Sequence, residues 1–253
     1  MTIGHTLIGS GKEGVIVLHG WFGDYTVFNP MIPYLDGESY TYAFMDYRGY
    51  GKSRDVQGEH SIKEISGDAI ELADLLGWER FHVIGHSMGG SAAQRVAVDA
   101  GGRLKTVICV TPVPASGVPF DDEGLALFSG AAENDDNRAA IIDFSTGNRL
   151  SSKWISYIVK ESRRTTTQKA FADYFVAWSS TNFVEESKGN KTPFLVAVGE
   201  HDQALNGEVM KETFMQWYPN ARLEIIPNAG HYPMQETPVY LATLWESFLK
   251  EHS

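Results

Sequence analysis

The sequence contains a single cysteine, and its basic side chains are few. Cys109 cannot form a disulfide within its own chain, and its place in the apolar run Val107–Val110 predicts a buried core residue. Lysine and arginine together number 21 against 32 aspartates and glutamates, which gives a formal net charge of −11. Because a protein that follows a phosphate backbone needs clustered cations, this balance argues against a nucleic-acid partner.

Long apolar segments are also absent from the sequence. No uncharged apolar run reaches the length of about 18 residues that could span a bilayer. Residues 1–14 lack the apolar stretch behind a basic leader that marks a signal peptide. We therefore expect a cytoplasmic protein without membrane association, a monomer or small homo-oligomer that acts on a small-molecule substrate.

Short apolar runs alternate with helix-like segments along most of the chain. Their hydrophobicity is continuous, which is typical of strands that are covered on both faces in a parallel sheet. Ser61 and Glu64 have the spacing of a capping box and predict a helix that ends near Gly77. This alternation predicts an α/β fold with ligands at the carboxyl ends of the strands. The predicted strands are Val15–Leu18, Tyr40–Met45, Phe81–Ile84, Thr106–Val110, Phe194–Val198 and Leu223–Ile226.

The alternation fails between about residues 113 and 190. This stretch has acidic and polar turns, helix-like segments rich in aromatic residues, and no convincing strand. We interpret it as a helical cap inserted into the fold. The predicted domains are an α/β core, residues 1–112 and 191–253, and a cap or lid, residues 113–190.

A strand-like run that ends in Gly85-His86-Ser87-Met88-Gly89 carries the strongest chemical signal. The pattern G-x-S-x-G between a strand and a helix of small residues is typical of a nucleophile elbow. There a strained turn makes the serine hydroxyl protrude, and the glycines leave room for the backbone. Ser87 is therefore the predicted nucleophile. The alternative is an ordinary glycine-rich turn whose serine caps a helix.

A serine hydroxyl needs a base, and His231 is the predicted one. It follows the last apolar run in the chain order serine, acid, histidine that this class of site requires. Asp202 is the predicted acid, because it follows the preceding strand by a short loop and could hold the imidazole tautomer. Other candidates for the acid are Glu200, Asp121 and Asp122.

The developing oxyanion needs donors that are already aimed at it. The strand before His19 runs into a glycine turn, so we assign the donors as the N–H groups of Trp21 and Met88. A simple glycine loop is the alternative for the first of these.

Aromatic residues of the cap suit an apolar acyl or aryl group. Trp154, Tyr174 and Trp178 are the predicted substrate-binding residues, although aromatic side chains in helices often belong to the core. Arg163 and Arg164 fit a solvated helix face, or a clamp for a carboxylate if they turn inward.

Taken together, these segments resemble the α/β-hydrolase superfamily, in its capped serine esterase and lactonase-like branch. The resemblance covers the whole chain and implies an eight-stranded, mostly parallel sheet, a helical lid, no cofactor and no metal. It also identifies Glu236, after His231, as part of the family's ending. The segments that carry the resemblance are His19-Gly20, Asp46–Ser53, Gly85–Gly90, Gly199–Asp202 and Gly230–Pro238.

Departures from sister groups narrow the expected function. Haloalkane dehalogenases and epoxide hydrolases of this fold carry an aspartate at the position of Ser87, which disfavours both. Prolyl iminopeptidases and meta-cleavage hydrolases usually have a glycine- and proline-rich turn after the corresponding His-Gly pair. This chain has Trp21-Phe22-Gly23-Asp24 there, which disfavours both groups without excluding the second. We therefore expect a serine hydrolase that cleaves a carboxylic ester or lactone of a small, largely apolar substrate through an acyl-enzyme. The alternatives are a carbon–carbon bond hydrolase, a cofactor-free haloperoxidase, or a ligand receptor on the same fold.

Overall fold

The computed structural model describes residues 3–253. Seven strands form one sheet in the order β1-β3-β2-β4-β5-β6-β7, with β1 antiparallel to β3 and all other pairs parallel. The strands are β1 His5–Gly9, β2 Glu13–Leu18, β3 Tyr40–Met45, β4 Phe81–His86, β5 Leu104–Val110, β6 Phe194–Gly199 and β7 Ala221–Ile226.

The prediction of a mostly parallel α/β sheet is confirmed, and each of the six predicted strands is present. The expected number of strands is wrong, because the sheet has seven strands within the described residues rather than eight. β1 was not predicted. It is an edge strand with mixed exposure, so its sequence lacks the continuous hydrophobicity of the buried strands.

Residues 3–253 contain eleven α-helices and four short 3-10 helices. Helices α1, α2 and α11 flank the strands, whereas α3 to α7 lie between β5 and β6 in sequence. The helices are α1 Ile62–Leu75, α2 Met88–Asp99, α3 Asp122–Gly130, α4 Asp135–Ser145, α5 Ser152–Thr165, α6 Gln168–Ser180, α7 Val184–Ser187, α8 Gly207–Glu212, α9 Phe214–Trp217, α10 Pro233–Glu236 and α11 Pro238–Glu251. None of them combines the length and apolar character needed to cross a membrane.

Alternate residues of the central strands contribute to two separate cores. Ile16 and Val83 pack with residues of α1 and α2, whereas Val17 and Ile84 pack with residues of α11. This is the period of two expected for a sheet covered on both faces. Cys109 is fully buried in the first core, as predicted, and burial raises the pKa of its thiol.

Helix α1 begins where the capping-box spacing predicted. The Ser61 hydroxyl accepts the N–H of Glu64 at 3.0 Å, and the helix ends before Gly77, which has a φ of +72°. The Glu64 carboxylate accepts the N–H groups of Glu59 and His60. The first bond thus satisfies an amide that the helix itself leaves without a partner, and the other two hold the segment that leads into the helix.

Residues 113–190 contribute no strand to the sheet and form helices α3 to α7. The segment contacts the α/β core where Tyr50 forms an isolated antiparallel bridge with Thr166 and the Thr167 N–H donates to the Gly49 carbonyl at 3.0 Å. Its assignment as a separate cap stays a prediction.

Candidate active site

Ser87 lies on a strained turn between β4 and α2. Its φ of 55° and ψ of −117° are rare for a residue with a side chain, and neighbouring strands hold it there. Its N–H donates to the Val110 carbonyl at 2.9 Å, and its carbonyl accepts the N–H of Val113 at 3.0 Å. Helix α2 begins at the next residue, Met88, so the partial positive charge of its N-terminus lies beside the serine.

The glycines around Ser87 are required by close backbone contacts. A Cβ atom on Gly85 would overlap the carbonyl of Gly89, and one on Gly89 would overlap the carbonyl of Leu18. A Cβ on Gly20 would come within 3.2 Å of the Ser87 Cβ. Only glycine permits the elbow to lie this close to β2 and its following turn.

His231 and Asp202 complete a hydrogen-bonded chain that begins at Ser87. The His231 Nε2 lies 2.9 Å from the Ser87 Oγ, and the His231 Nδ1 lies 2.6 Å from the Asp202 Oδ2. The other carboxylate oxygen accepts the N–H groups of Ala204 and Leu205, which orients the buried Asp202 side chain. The structure brings together the three side chains predicted as nucleophile, base and acid.

The alternative acids point elsewhere. The exposed Glu200 carboxylate accepts the N–H of Asn228 at 3.1 Å, and Asp121 caps helix α3 by accepting the N–H of Gly124 at 2.8 Å. Asp122 is exposed in the first turn of the same helix. None of these carboxylates contacts His231 in the described residues, so Asp202 has the geometry of the acid.

The turn that carries the Trp21 N–H is held by buried polar groups. The His19 Nδ1–H donates to the Gly20 carbonyl at 2.8 Å, the Tyr47 hydroxyl donates to the His19 carbonyl at 2.7 Å, and the Tyr50 hydroxyl donates to the Trp21 carbonyl at 3.0 Å. Burial lowers the pKa of His19 to about 4, so its ring is neutral at pH 7. These bonds fix the turn beside Ser87.

The N–H groups of Trp21 and Met88 remain the predicted oxyanion donors. Within residues 3–253, neither N–H donates to another protein group. Neither amide therefore has a competing acceptor among these residues. No group of three or more histidine, cysteine, aspartate or glutamate side chains in the same part of the chain could hold a metal ion.

A family model described as the alpha/beta hydrolase fold matches residues 14–238. This protein belongs to the α/β-hydrolase family. The match includes all three side chains of the Ser87 chain of hydrogen bonds, and it agrees with the order of strands and helices.

Relatives of this α/β-hydrolase differ in how much of the chain they match. It is 28% identical over 238 residues to a non-heme haloperoxidase from Rhodococcus erythropolis, and this match covers 88% of this chain and 86% of that protein. It is 37% identical over 107 residues to the dihydrolipoyllysine-residue acetyltransferase component of an acetoin cleaving system from Cupriavidus necator. This match covers 42% of this chain and 28% of that protein. The structure of a hydrolase from Oleispira antarctica is similar with a TM-score of 0.87 at 21% identity, covering 98% of this chain and 95% of that one.

A cavity of about 90 Å³ opens at Ser87 and His231. Trp178, predicted to bind substrate, lines this cavity and packs against Trp21 with ring centroids 5.5 Å apart. The other lining residues are mostly aromatic or aliphatic. They are Phe22, His86, Val113, Val118, Phe120, Phe128, Ile141, Phe144, Ser145, Ala204, Leu205 and Tyr232.

Two of the predicted substrate-binding residues lie outside this lining. Trp154 donates its indole N–H to Gln235 at 2.9 Å, and its ring packs against Tyr232, which itself lines the cavity. Tyr174 lies one helical turn before Trp178, where α6 passes over the core, and it is buried against Tyr50. Contacts with other segments hold both side chains outside the lining, and their roles in substrate binding stay predictions.

The cavity carries no fixed cation. Among the described residues, its lining includes no lysine, arginine, aspartate or glutamate. Arg163 donates to Asp135 at 2.6 Å and Arg164 donates to Glu161 at 2.6 Å, so both side chains take part in surface ion pairs. The solvated interpretation of this arginine pair fits the structure, and the carboxylate clamp does not.

Proposed function

We propose that this α/β-hydrolase is a serine hydrolase that cleaves a carboxylic ester or lactone of a small, largely apolar substrate through an acyl-enzyme. The observation that carries the proposal is the chain from Asp202 through His231 to the Ser87 hydroxyl, which opens directly into the apolar cavity. Serine is a weak nucleophile at neutral pH, and a base at 2.9 Å supplies the activation that it needs.

The reaction follows from this geometry. His231 accepts the Ser87 proton while the oxygen attacks the substrate carbonyl, and Asp202 stabilises the imidazolium that forms. The N–H groups of Trp21 and Met88 stabilise the oxyanion. His231 then protonates the leaving alcohol, and it activates the water that hydrolyses the acyl-enzyme.

The preferred substrate is uncharged on the side that enters the cavity. A carboxylate there would lose its hydration without gaining a cationic partner, which is unfavourable in a low-dielectric site. The aromatic side chains of Trp21, Phe22 and Phe128 offer flat apolar surface instead. A small acyl or aryl group suits this apolar lining.

Hydrolysis of a p-nitrophenyl ester series, from acetate to dodecanoate, tests the proposal with wild type and Ser87→Ala in parallel. We expect turnover that is lost in the variant, while the melting temperature is retained. The ester with the highest kcat/KM then measures the depth of the cavity. Full turnover by Ser87→Ala would overturn the proposed function.

A second candidate is a cofactor-free haloperoxidase that uses the same three side chains. The relation to the Rhodococcus haloperoxidase over most of the chain favours it. Bromination of a phenolic acceptor in the presence of bromide, hydrogen peroxide and a short-chain carboxylate provides the test. Activity that disappears in Ser87→Ala and exceeds ester hydrolysis would favour this candidate.

A further inference from the structure

The backbone around His231 is irregular, and hydrogen bonds to other segments rather than a helix or strand hold it in place. The His231 N–H donates to the Ser145 carbonyl at 3.1 Å. Its carbonyl accepts the His86 Nε2–H at 2.8 Å and the Thr111 hydroxyl at 3.2 Å. Both polar groups of the peptide backbone at His231 therefore have partners from other parts of the chain.

The two flanking amides share one acceptor, the carboxylate of Glu236. Its Oε2 accepts the N–H of Gly230 at 2.9 Å, and its Oε1 accepts the N–H of Tyr232 at 3.1 Å. The side chain is only 4% exposed, so the loss of these bonds would leave buried donors unsatisfied. One carboxylate thus fixes the chain on both sides of His231.

Arg149 joins this carboxylate to the segment between α4 and α5. Its guanidinium donates to the Glu236 Oε2 at 2.9 Å, to the Thr146 carbonyl at 3.1 Å and to the Asn228 carbonyl at 3.0 Å. The arginine places a positive charge against this buried carboxylate. Residues 145–149, inside the predicted cap, therefore contact the loop of His231 at several points.

We propose that Glu236 is a positioning residue for His231 and that Arg149 couples it to the cap segment 145–149. The proposal rests on the proposed function, in which His231 is the base. The carboxylate holds the backbone so that the imidazole reaches Ser87 and Asp202 together. Because the reacting atoms need alignment within a fraction of an ångström, a small displacement of the base costs rate.

Glu236→Gln tests the proposal because the two side chains have nearly the same shape. Glutamine replaces one acceptor oxygen with an NH₂ group that faces a backbone donor, so it preserves packing but not the paired acceptance. We expect kcat to fall by about 10- to 100-fold with little change in KM. Glu251→Gln, which removes the exposed ion pair with Arg222, is the matched control and should retain wild-type kinetics.

Arg149→Gln provides a second variant that leaves the carboxylate on both amides. We expect a smaller fall in kcat, and the double variant should lose less than the product of the two single losses, because Arg149 and Glu236 hold the same loop. Melting temperatures identify any variant that does not fold, and Arg149→Gln then remains as the test. A double variant whose loss in kcat equals the product of the two single losses would overturn the coupling.

The rate of Ser87 phosphonylation by a small fluorophosphonate separates this proposal from the proposed function. The reagent needs an activated serine but no particular substrate. We expect rapid labelling of wild type and of Glu251→Gln, with labelling of Glu236→Gln slowed by the same factor as kcat. Equal labelling of Glu236→Gln and wild type would refute the positioning role alone, whereas an unlabelled wild type would refute both proposals.

Discussion

Replacing Asp202 by asparagine would reverse the direction of one hydrogen bond in the site. The Asp202 Oδ1 accepts two backbone N–H groups, from Ala204 and Leu205, so an asparagine would keep its carbonyl oxygen there. Its NH₂ group would then face the His231 Nδ1 at the present 2.6 Å contact. The imidazole would have to accept at Nδ1 and carry its proton on Nε2, where it could no longer accept the proton of Ser87.

The expected loss in kcat is about 10⁴-fold, the size of effect known when an asparagine imposes the wrong histidine tautomer in a serine triad. The assay is hydrolysis of the best p-nitrophenyl ester at pH 7, with melting temperatures to confirm folding. Glu200→Gln is the control, since its carboxylate contacts Asn228 and not His231. An Asp202→Asn protein with more than a tenth of wild-type kcat, or a comparable loss in Glu200→Gln, would refute this reasoning.

Two further predictions concern the cavity and the buried histidines. Trp178→Ala should enlarge the cavity and shift the preferred p-nitrophenyl ester to a longer acyl chain. Trp154 lies outside the lining, so Trp154→Ala should leave the preferred ester unchanged. An unchanged preference in Trp178→Ala would contradict the assigned lining. Burial lowers the pKa of both His19 and His82 to about 4 from 6.5, so the unfolded chain binds protons that the fold excludes, and stability should fall as the pH drops from 6.5 towards 4. The slope is at most about 1.4 kcal/mol per pH unit for each histidine; burial raises the pKa of Asp46 to about 6, which offsets part of it. Urea unfolding at pH 7 and 5 measures the difference, and unchanged or greater stability at pH 5 would contradict it.

The elbow could be predicted from the sequence because its requirements are local. A strand, two glycines and a helix of small residues within a dozen positions specify where Ser87 must lie. His231 and Asp202 were predictable because parallel strands place their carboxyl ends at one edge of the sheet.

Features that depend on distant contacts could not be predicted. Trp154 and Trp178 are both aromatic residues on helices of the same segment, and only the packing of α5 against α10 and of α6 against the core separates their roles. Glu236 was visible as part of the family's ending, but its bonds to both neighbours of His231 depend on how the loop folds back on itself.

The order of the strands has a consequence for the time course of folding. Ser87 follows β4 at the centre of the sheet, whereas Asp202 follows β6 and His231 follows β7 at the far edge. The Ser87–His231 contact joins residues 144 positions apart, a long loop to close. A chain in which β6 and β7 have not joined the sheet would lack the contact from Asp202 through His231 to Ser87, so it could not carry out the proposed hydrolysis. Recovery of activity therefore reports that β4, β6 and β7 have all joined the sheet.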